Sequence, residues 1–434
     1  MNLETDNKIQ KKGITLVIPN PCGNIKETKM KNSGIEWIGE IPDGWEVKKV
    51  KHSFVRKNEK AMQENPIVLS LARSGVRERD ISNNEGQLAE SYYNYNPVDV
   101  DDLLINPMDL YSGANCSISK VKGVISPAYI NLRAKKNVSP VFYDYYFKVQ
   151  YWMMAFFAHG NGVSFENRWT LNNETLQNYP IVAPSFETQQ RIASYLDKKC
   201  NKIEETIQNQ QQVIEKLKAY KQSLITEAVT GKVKIVNGKA CGEYESYKDS
   251  GVEWIGKIPS GWEIKKAKYF IKISNGSDPK TEEGDTPVYG SGAESFKTCV
   301  EFKEGPTVLI GRKGATLHIP HYIEGNYWNV DTAFDVKTYS EEILLLKFYY
   351  YCATAFDYRF YLTSTTLPSM TQTNYGNMYL PVPNTLVQKE IVEFLDNKCT
   401  AIDTAIKQKQ NLIEKLTEYK KSLIYECVTG KKEI

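Results

Sequence analysis

Residues 31–51 read KNSGIEWIGEIPDGWEVKKVK, and residues 248–268 read KDSGVEWIGKIPSGWEIKKAK. Trp37 recurs as Trp254, 217 residues further on; a match this dense in Trp, Gly and Pro identifies an internal duplication. A second pair of segments matches as well. Residues 189–232, QQRIASYLDKKCNKIEETIQNQQQVIEKLKAYKQSLITEAVTGK, return at 388–431 as QKEIVEFLDNKCTAIDTAIKQKQNLIEKLTEYKKSLIYECVTGK, with Cys200 recurring as Cys399. The second offset is 199, so the first intervening region is 18 residues longer than the second. Between the matched segments the halves are only loosely alike. The plan is a Trp module, a divergent domain and a long helix, followed by the same three parts again.

The stretch from Gln189 to Val229 holds no Pro or Gly and is rich in Lys, Glu, Gln, Leu and Ile, which suits a helix. Leu196, Cys200, Ile203, Ile207, Gln210, Ile214, Leu217, Lys221 and Leu224 alternate between d and a positions of a heptad. Leu395, Cys399, Ile402, Ile406, Lys409, Ile413, Leu416, Lys420 and Leu423 do the same in the copy. Four heptads of this pattern predict a coiled coil, with ordinary core helices or oligomerisation helices as the alternative. Polar residues at the seam cost stability but fix register. Gly231 and Gly430 follow each helix, where glycine suits a left-handed terminal position.

Composition bounds the rest. A chain of 434 residues exceeds one ordinary core, and two or more domains are expected. The mean hydropathy of −0.47 is that of a soluble protein, and the longest apolar stretch, residues 151–158, is far below the ~20 residues a membrane span needs. No leader pattern is visible at the N-terminus, so the cytoplasm is the expected location and a membrane is not an expected partner. The eight cysteines are scattered without a C-x-x-C pair, which excludes the common zinc spacings, and so large a chain argues against a disulfide framework. His318 and His321 are separated by Ile319 and Pro320 with no third ligand nearby, so no metal is expected. The net charge of only +3 carries little information about an acidic partner; cations would have to be concentrated locally.

The repeated residues resemble a known family. SGIEWIGEIPDGWE (33–46) and SGVEWIGKIPSGWE (250–263) look like the segment that opens target-recognition domains in the specificity subunits of type I restriction–modification systems. TQQRIASYLD (188–197) and VQKEIVEFLD (387–396) are similar to the starts of that family's conserved helices, which share the LI-x-E-x-VTGK ending. NYPIVAPS (178–185) and NMYLPVPN (377–384) resemble the proline-bearing exit strand ahead of each helix. The resemblance runs from Met30 to Lys431. It implies an α+β fold: two mixed α/β target-recognition domains in pseudo-symmetric tandem repeat, separated by two long helices pairing as an antiparallel coiled coil. The expected organisation is an extension at 1–29, a first recognition domain at 30–186, a helix at 187–231, a linker at 232–247, a second domain at 248–385 and a helix at 386–431. A helix of some 40 residues is about 60 Å long, more than one ~34 Å turn of DNA.

The resemblance also implies sequence-specific binding of a bipartite, asymmetric double-stranded DNA target. Two methyltransferase subunits and restriction subunits would be partners, with S-adenosylmethionine, ATP and magnesium on those partners and no cofactor on this chain. The chain itself is expected to be non-catalytic. It has no G-x-x-x-x-G-K-[ST] loop and no Asn- or Asp-Pro-Pro-aromatic motif, and Pro42-Asp43…Glu46-Val47-Lys48 reads as a turn and strand rather than a nuclease set. The alternative is a coiled-coil scaffold, or a decoy regulator built from the same parts, that does not read DNA.

Candidate DNA contacts follow from residue chemistry, since arginine pairs guanine O6/N7 or phosphate and Asn or Gln pairs adenine. Arg73, Arg77 and Arg79 lie in a loop-like stretch, SLARSGVRERD (70–80), which could equally be a solvated turn balanced by Glu78 and Asp80. Arg312 and Lys313 sit between two glycines in VLIGRKGATLHIP (308–320); the counterpart LLINPMDLYSGANCSIS (103–119) places Asn106 there. Ahead of the exit strands stand Asn167 and Arg168 in the first domain, and Ser369, Gln372 and Asn374 in the second. The aromatic runs YDYYF (143–147) and KFYYY (347–351) read as core packing on amphipathic helices.

Overall fold

The computed structural model describes residues 29–72, 74–82, 89–108, 110–111, 115–162, 169–292, 294–314, 316–362 and 368–434. Seven α-helices are described: α1 (Val50–Ser53), α2 (Pro140–Trp152), α3 (Asn173–Asn178), α4 (Phe186–Val229), α5 (Leu346–Ala355), α6 (Gln372–Asn377) and α7 (Thr385–Val428). The chain forms two compact units, Met1–Lys202 with Glu418–Ile434, and Ile203–Thr417. Each unit therefore holds one divergent domain together with parts of both long helices.

The duplication is reproduced strand by strand. Met30–Asn32 pairs antiparallel with Glu40–Pro42 in the first unit, and Tyr247–Asp249 pairs with Lys257–Pro259 in the second, in the same register. Both hairpins enclose a loop closed by an Asx contact, from Gly34 N to Asn32 Oδ1 (2.8 Å) and from Gly251 N to Asp249 Oδ1 (2.9 Å). In the PD…ExK-like stretch, Trp45 N donates to Pro42 O (2.9 Å) across a turn and Glu46–Lys49 is an exposed strand. That strand pairs with the exit strand Pro180–Ala183; Glu263–Lys266 pairs with Tyr379–Val382 in the copy.

Each domain is built on a four-stranded antiparallel sheet. The strand order is Phe54–Lys57, Ile130–Ala134, Leu103–Ile105, Cys116–Ile118 in one unit, and Ile271–Asn275, Ala333–Thr338, Thr307–Gly311, His321–Ile323 in the other. The apolar strands bury their sides, and α2 and α5 supply the aromatic residues of the core: Phe142, Tyr143, Tyr146 and Phe147 in the first, Phe348, Tyr349 and Tyr351 in the second. The tyrosine runs are packing residues. Phe54 and Tyr143 meet edge to face at 5.2 Å, the geometry the ring quadrupole favours.

The long helices are held at both ends by repeated contacts. At the start, Gln189 and Gln388 are buried and act as clamps. Gln189 Oε1 accepts from Ser139 N (2.8 Å) and its amide donates to Pro184 O (2.8 Å); Gln388 Oε1 accepts from Leu345 N (2.9 Å) and its amide donates to Pro383 O (2.9 Å). Each clamp ties a long helix to the N-terminus of α2 or α5. At the far end, α4 runs out at Gly231 (φ +71°), whose backbone lies on Pro259 and Trp262, and α7 at Gly430 (φ +74°), on Pro42 and Trp45. A Cβ at either glycine would overlap the proline ring.

Within the second unit the helices pair antiparallel: Lys221 Nζ meets Asp403 at 2.7 Å and Lys409 Nζ donates to Gln210 (3.1 Å), so numbers rise along one helix as they fall along the other. Of the heptad residues, Leu196, Ile203, Ile207, Ile214, Leu395, Ile402 and Leu423 are buried, while Leu217, Leu224, Ile406, Ile413 and Leu416 are partly buried. No helix among the described residues is long and apolar enough to cross a membrane.

Gly231→Ala and Gly430→Ala combine a strained left-handed backbone with a steric overlap, and each is expected to lower stability by about 1–3 kcal/mol in denaturant unfolding. Ala substitution at Gly238, which also has positive φ but open space around it, is expected to cost less.

Candidate nucleic-acid interface

Several of the basic residues in the two sheets are committed to the fold. Arg133 and Lys57 bracket Asp99 and Asp102: Arg133 Nε lies 2.8 Å from Asp102 and Lys57 Nζ 3.0 Å from Asp99. The Arg133 guanidinium, helped by Lys57, holds the Asp99 carboxyl down at about 2. In the second domain Lys303 is 2.6 Å from the buried Asp335 and donates to Asn329 (2.8 Å). These groups brace strands and are poorly placed to meet a phosphate.

In the first domain the stretch that reads as a loop is a β-hairpin, Leu69–Ala72 paired with Gly75–Glu78. Alternation along the strand explains the difference: Val76 turns to the cluster around Leu69 and Leu71, and Arg77 turns away from it, opposite Ser70. Arg77 is exposed with no side-chain partner among the described residues; Arg79 is half-buried and its backbone N donates to Val68 O (2.8 Å). The hairpin tip is tied to the Asn106 loop, because Asn115 Nδ2 donates to Ala72 O (2.6 Å). Asn106 itself shapes that loop: its Oδ1 accepts from Met108 N (3.0 Å) and its carbonyl accepts from Tyr151 OH (2.8 Å). Leu171 N donates to Pro107 O (2.8 Å), which brings in the segment ahead of the exit strand. Arg73, Asn167 and Arg168 lie outside the described residues.

The second domain brings its segments together in the same way. Arg312 N donates to Thr332 O (2.7 Å), Met370 N to Arg312 O (2.9 Å) and Gly314 N to Pro368 O (3.1 Å), while Lys313 and Ser369 form a β-bridge. Tyr375 OH on α6 donates to Gly311 O (2.6 Å); the first domain bonds the same end of its sheet strand from Tyr151 on α2 instead. Arg312 is half-buried, with its guanidinium over the Phe334 ring at 5.8 Å, whereas Lys313 is exposed and unpaired among the described residues. Asn374 is spent on the fold: it accepts from Thr371 Oγ1 (2.8 Å) and donates to Tyr361 O (2.7 Å). Gln372, at the first position of α6, instead donates to Asn275 Oδ1 (3.0 Å) at the end of the first sheet strand. Asn275 is exposed and escapes a sequence reading, because its partner lies 97 residues away. The buried Gln189 and Gln388 clamps were also not singled out by residue chemistry, although the repeat does mark both positions.

The first domain thus joins hairpin, sheet-end loop and pre-exit segment, and the second joins its sheet-end loop and pre-exit segment, with Arg77 on one and Lys313 on the other exposed and without a side-chain partner among the described residues. Among the described residues no group of His, Cys, Asp or Glu is arranged to hold a metal ion.

A family model for the type I restriction modification DNA specificity domain matches residues 27–216 and 259–415, and the chain belongs to that family. The specificity subunit of the type I restriction enzyme MjaVIII of Methanocaldococcus jannaschii is 27% identical over 189 residues, 42% of this chain and 40% of that protein. The matched stretch therefore spans about two fifths of the length of this relative. A solved chain, from a structural study of complex assembly and conformational transition in the type I R-M system, shares the fold with a TM-score of 0.68. It is 14% identical, and the match covers 90% of this chain and 99% of that one. The HsdS subunit from Thermoanaerobacter tengcongensis matches at a TM-score of 0.47 and 12% identity, over 90% of this chain and 98% of that one.

Removing either unpaired cation, by Arg77→Ala or Lys313→Ala, is expected to weaken duplex binding and to reduce the slope of log affinity against log salt by about 0.9 per lost phosphate contact. An Arg133→Ala variant, whose cation is already paired, is expected to leave the slope unchanged. Fluorescence anisotropy on duplex DNA across a salt series reads all three.

Proposed function

We propose that this chain is the DNA-reading specificity subunit of a type I restriction–modification complex, with each domain meeting one part of a bipartite, asymmetric double-stranded target. The observation that carries the reading is the pair of unlike polar surfaces on one repeated frame, which presents Arg77 in one unit, and Lys313, Gln372 and Asn275 in the other. A frame kept alike around unlike loops suits a protein that reads two different half-targets with one architecture. Phosphate contacts set register and amide or guanidinium groups read base edges.

The chain acts by binding. Methyltransferase subunits, two in number, dock with it and modify the target, and restriction subunits join that assembly in the cytoplasm. S-adenosylmethionine, ATP and magnesium belong to those partners, and this chain carries no cofactor. The antiparallel helices serve as a scaffold for the assembly, their register fixed by the Lys221–Asp403 and Gln210–Lys409 contacts.

Selection from a randomised duplex pool tests the reading. The chain assembled with its methyltransferase subunits is expected to enrich a gapped sequence with two defined parts. Recovery of an unenriched pool from a verified assembly would favour the scaffold or decoy alternative.

A further inference from the structure

We propose that Asn275 and Gln372 form a fixed amide pair that reads the edge of an adenine in the half-target met by the second domain, an inference that rests on the DNA-reading function above. The pair is pre-organised. Asn275 closes the strand Ile271–Asn275, and Gly276 behind it packs so closely on the carbonyls of Asn329 and Val330 that no Cβ fits. Gln372 opens α6, whose N-terminus is capped by Thr371 Oγ1 accepting from Asn374 N (3.1 Å). Both backbones are therefore held, and the bond from Gln372 Nε2 to Asn275 Oδ1 (3.0 Å) sets the orientation of both amides.

What the bond leaves over decides the chemistry. An amide side chain offers one carbonyl acceptor and two N–H donors. With one Gln372 N–H and the Asn275 oxygen occupied, the Asn275 Nδ2 donors and the Gln372 Oε1 acceptor, on two adjoining amides, have no hydrogen-bond partner among the described residues. Adenine presents an acceptor, N7, next to a donor, N6–H, on one base edge in the major groove; guanine presents two acceptors and cytosine a donor. A donor beside an acceptor matches adenine. The phosphate-binding candidate lies close by, since Lys313 bridges Ser369 and Met370 N bonds Arg312 O three and two residues before Gln372.

The neighbouring amide is not a competitor, because Asn374 is bonded to Thr371 and Tyr361. In the first domain the matching helix α3 opens with Asn173, whose buried Oδ1 has no hydrogen-bond partner, so among the described residues the amide pair is found in the second domain and not at the matching place in the first. The two surfaces thus differ in reading chemistry as well as in sequence.

The test repeats the randomised-duplex selection with the full chain and its methyltransferase subunits, comparing the wild type with Asn275→Ala, Gln372→Ala and Asn275→Asp. Asn275→Asp is the discriminating variant, because its carboxylate still accepts from Gln372 and keeps the brace while losing the free donor. All three variants are expected to relax one A·T position in one part of the motif by about 10- to 100-fold, leaving the other part unchanged. If Asn275→Asp retains the wild-type motif, the pair is only a brace and the proposal is overturned. Relaxation at a G·C position overturns the adenine assignment. Failure of the wild type to enrich any motif overturns the DNA-reading function itself, and the proposal with it; that result is distinguishable because it appears before any substitution.

Discussion

The structure depends on the seating of a helix-ending glycine against a Pro–Trp turn. Gly231 on Pro259 and Trp262, and Gly430 on Pro42 and Trp45, are two copies of one contact, which needs both a left-handed backbone and the absence of a Cβ. This explains why the IP-x-GW and VTGK motifs recur together: they are the two faces of that contact. In the second unit both faces come from nearby stretches of chain. In the first unit the glycine arrives from the far end of the chain, and residues 418–434 return to complete the domain that residues 29–202 begin. The Trp37–Tyr425 ring contact at 6.4 Å and the bond from Lys431 Nζ to Glu40 O (3.3 Å) reinforce this closure.

Once the helix ends are seated, the buried Gln189 and Gln388 clamps fix where the helices begin relative to each sheet. The frame therefore relies on a few buried amides whose oxygens and N–H groups find backbone partners, the condition under which such groups support a fold rather than weaken it. The loops at the sheet ends are left free to differ. Asn106 spends its side chain on shaping its own loop, whereas Lys313 at the corresponding turn is exposed.

Much of this frame was legible in the sequence, because repetition in Trp, Gly and Pro and a sustained heptad period are strong local signals. The helix limits found, Phe186–Val229 and Thr385–Val428, lie within three residues of those the pattern suggests. The surface was less legible. SLARSGVRERD reads as loop-like because its charges mask the alternation of Leu69, Leu71 and Val76, and only pairing reveals a hairpin with Arg77 turned outward. Gln372 and Asn374 are alike in composition, yet one faces a neighbouring strand and the other is consumed by a helix cap. That distinction, and the partnership with Asn275, arises from contacts between distant segments and has no local signature.

The central claim is that one duplicated frame carries two unlike DNA readers while other chains do the chemistry. Sequencing of methylated bases in the genome of cells that carry this chain, against cells in which its gene is deleted, tests it most directly. The account predicts that deletion removes methylation from one gapped, two-part motif throughout the genome and from no other. An unchanged methylation pattern in cells that assemble the chain with a methyltransferase subunit would contradict it.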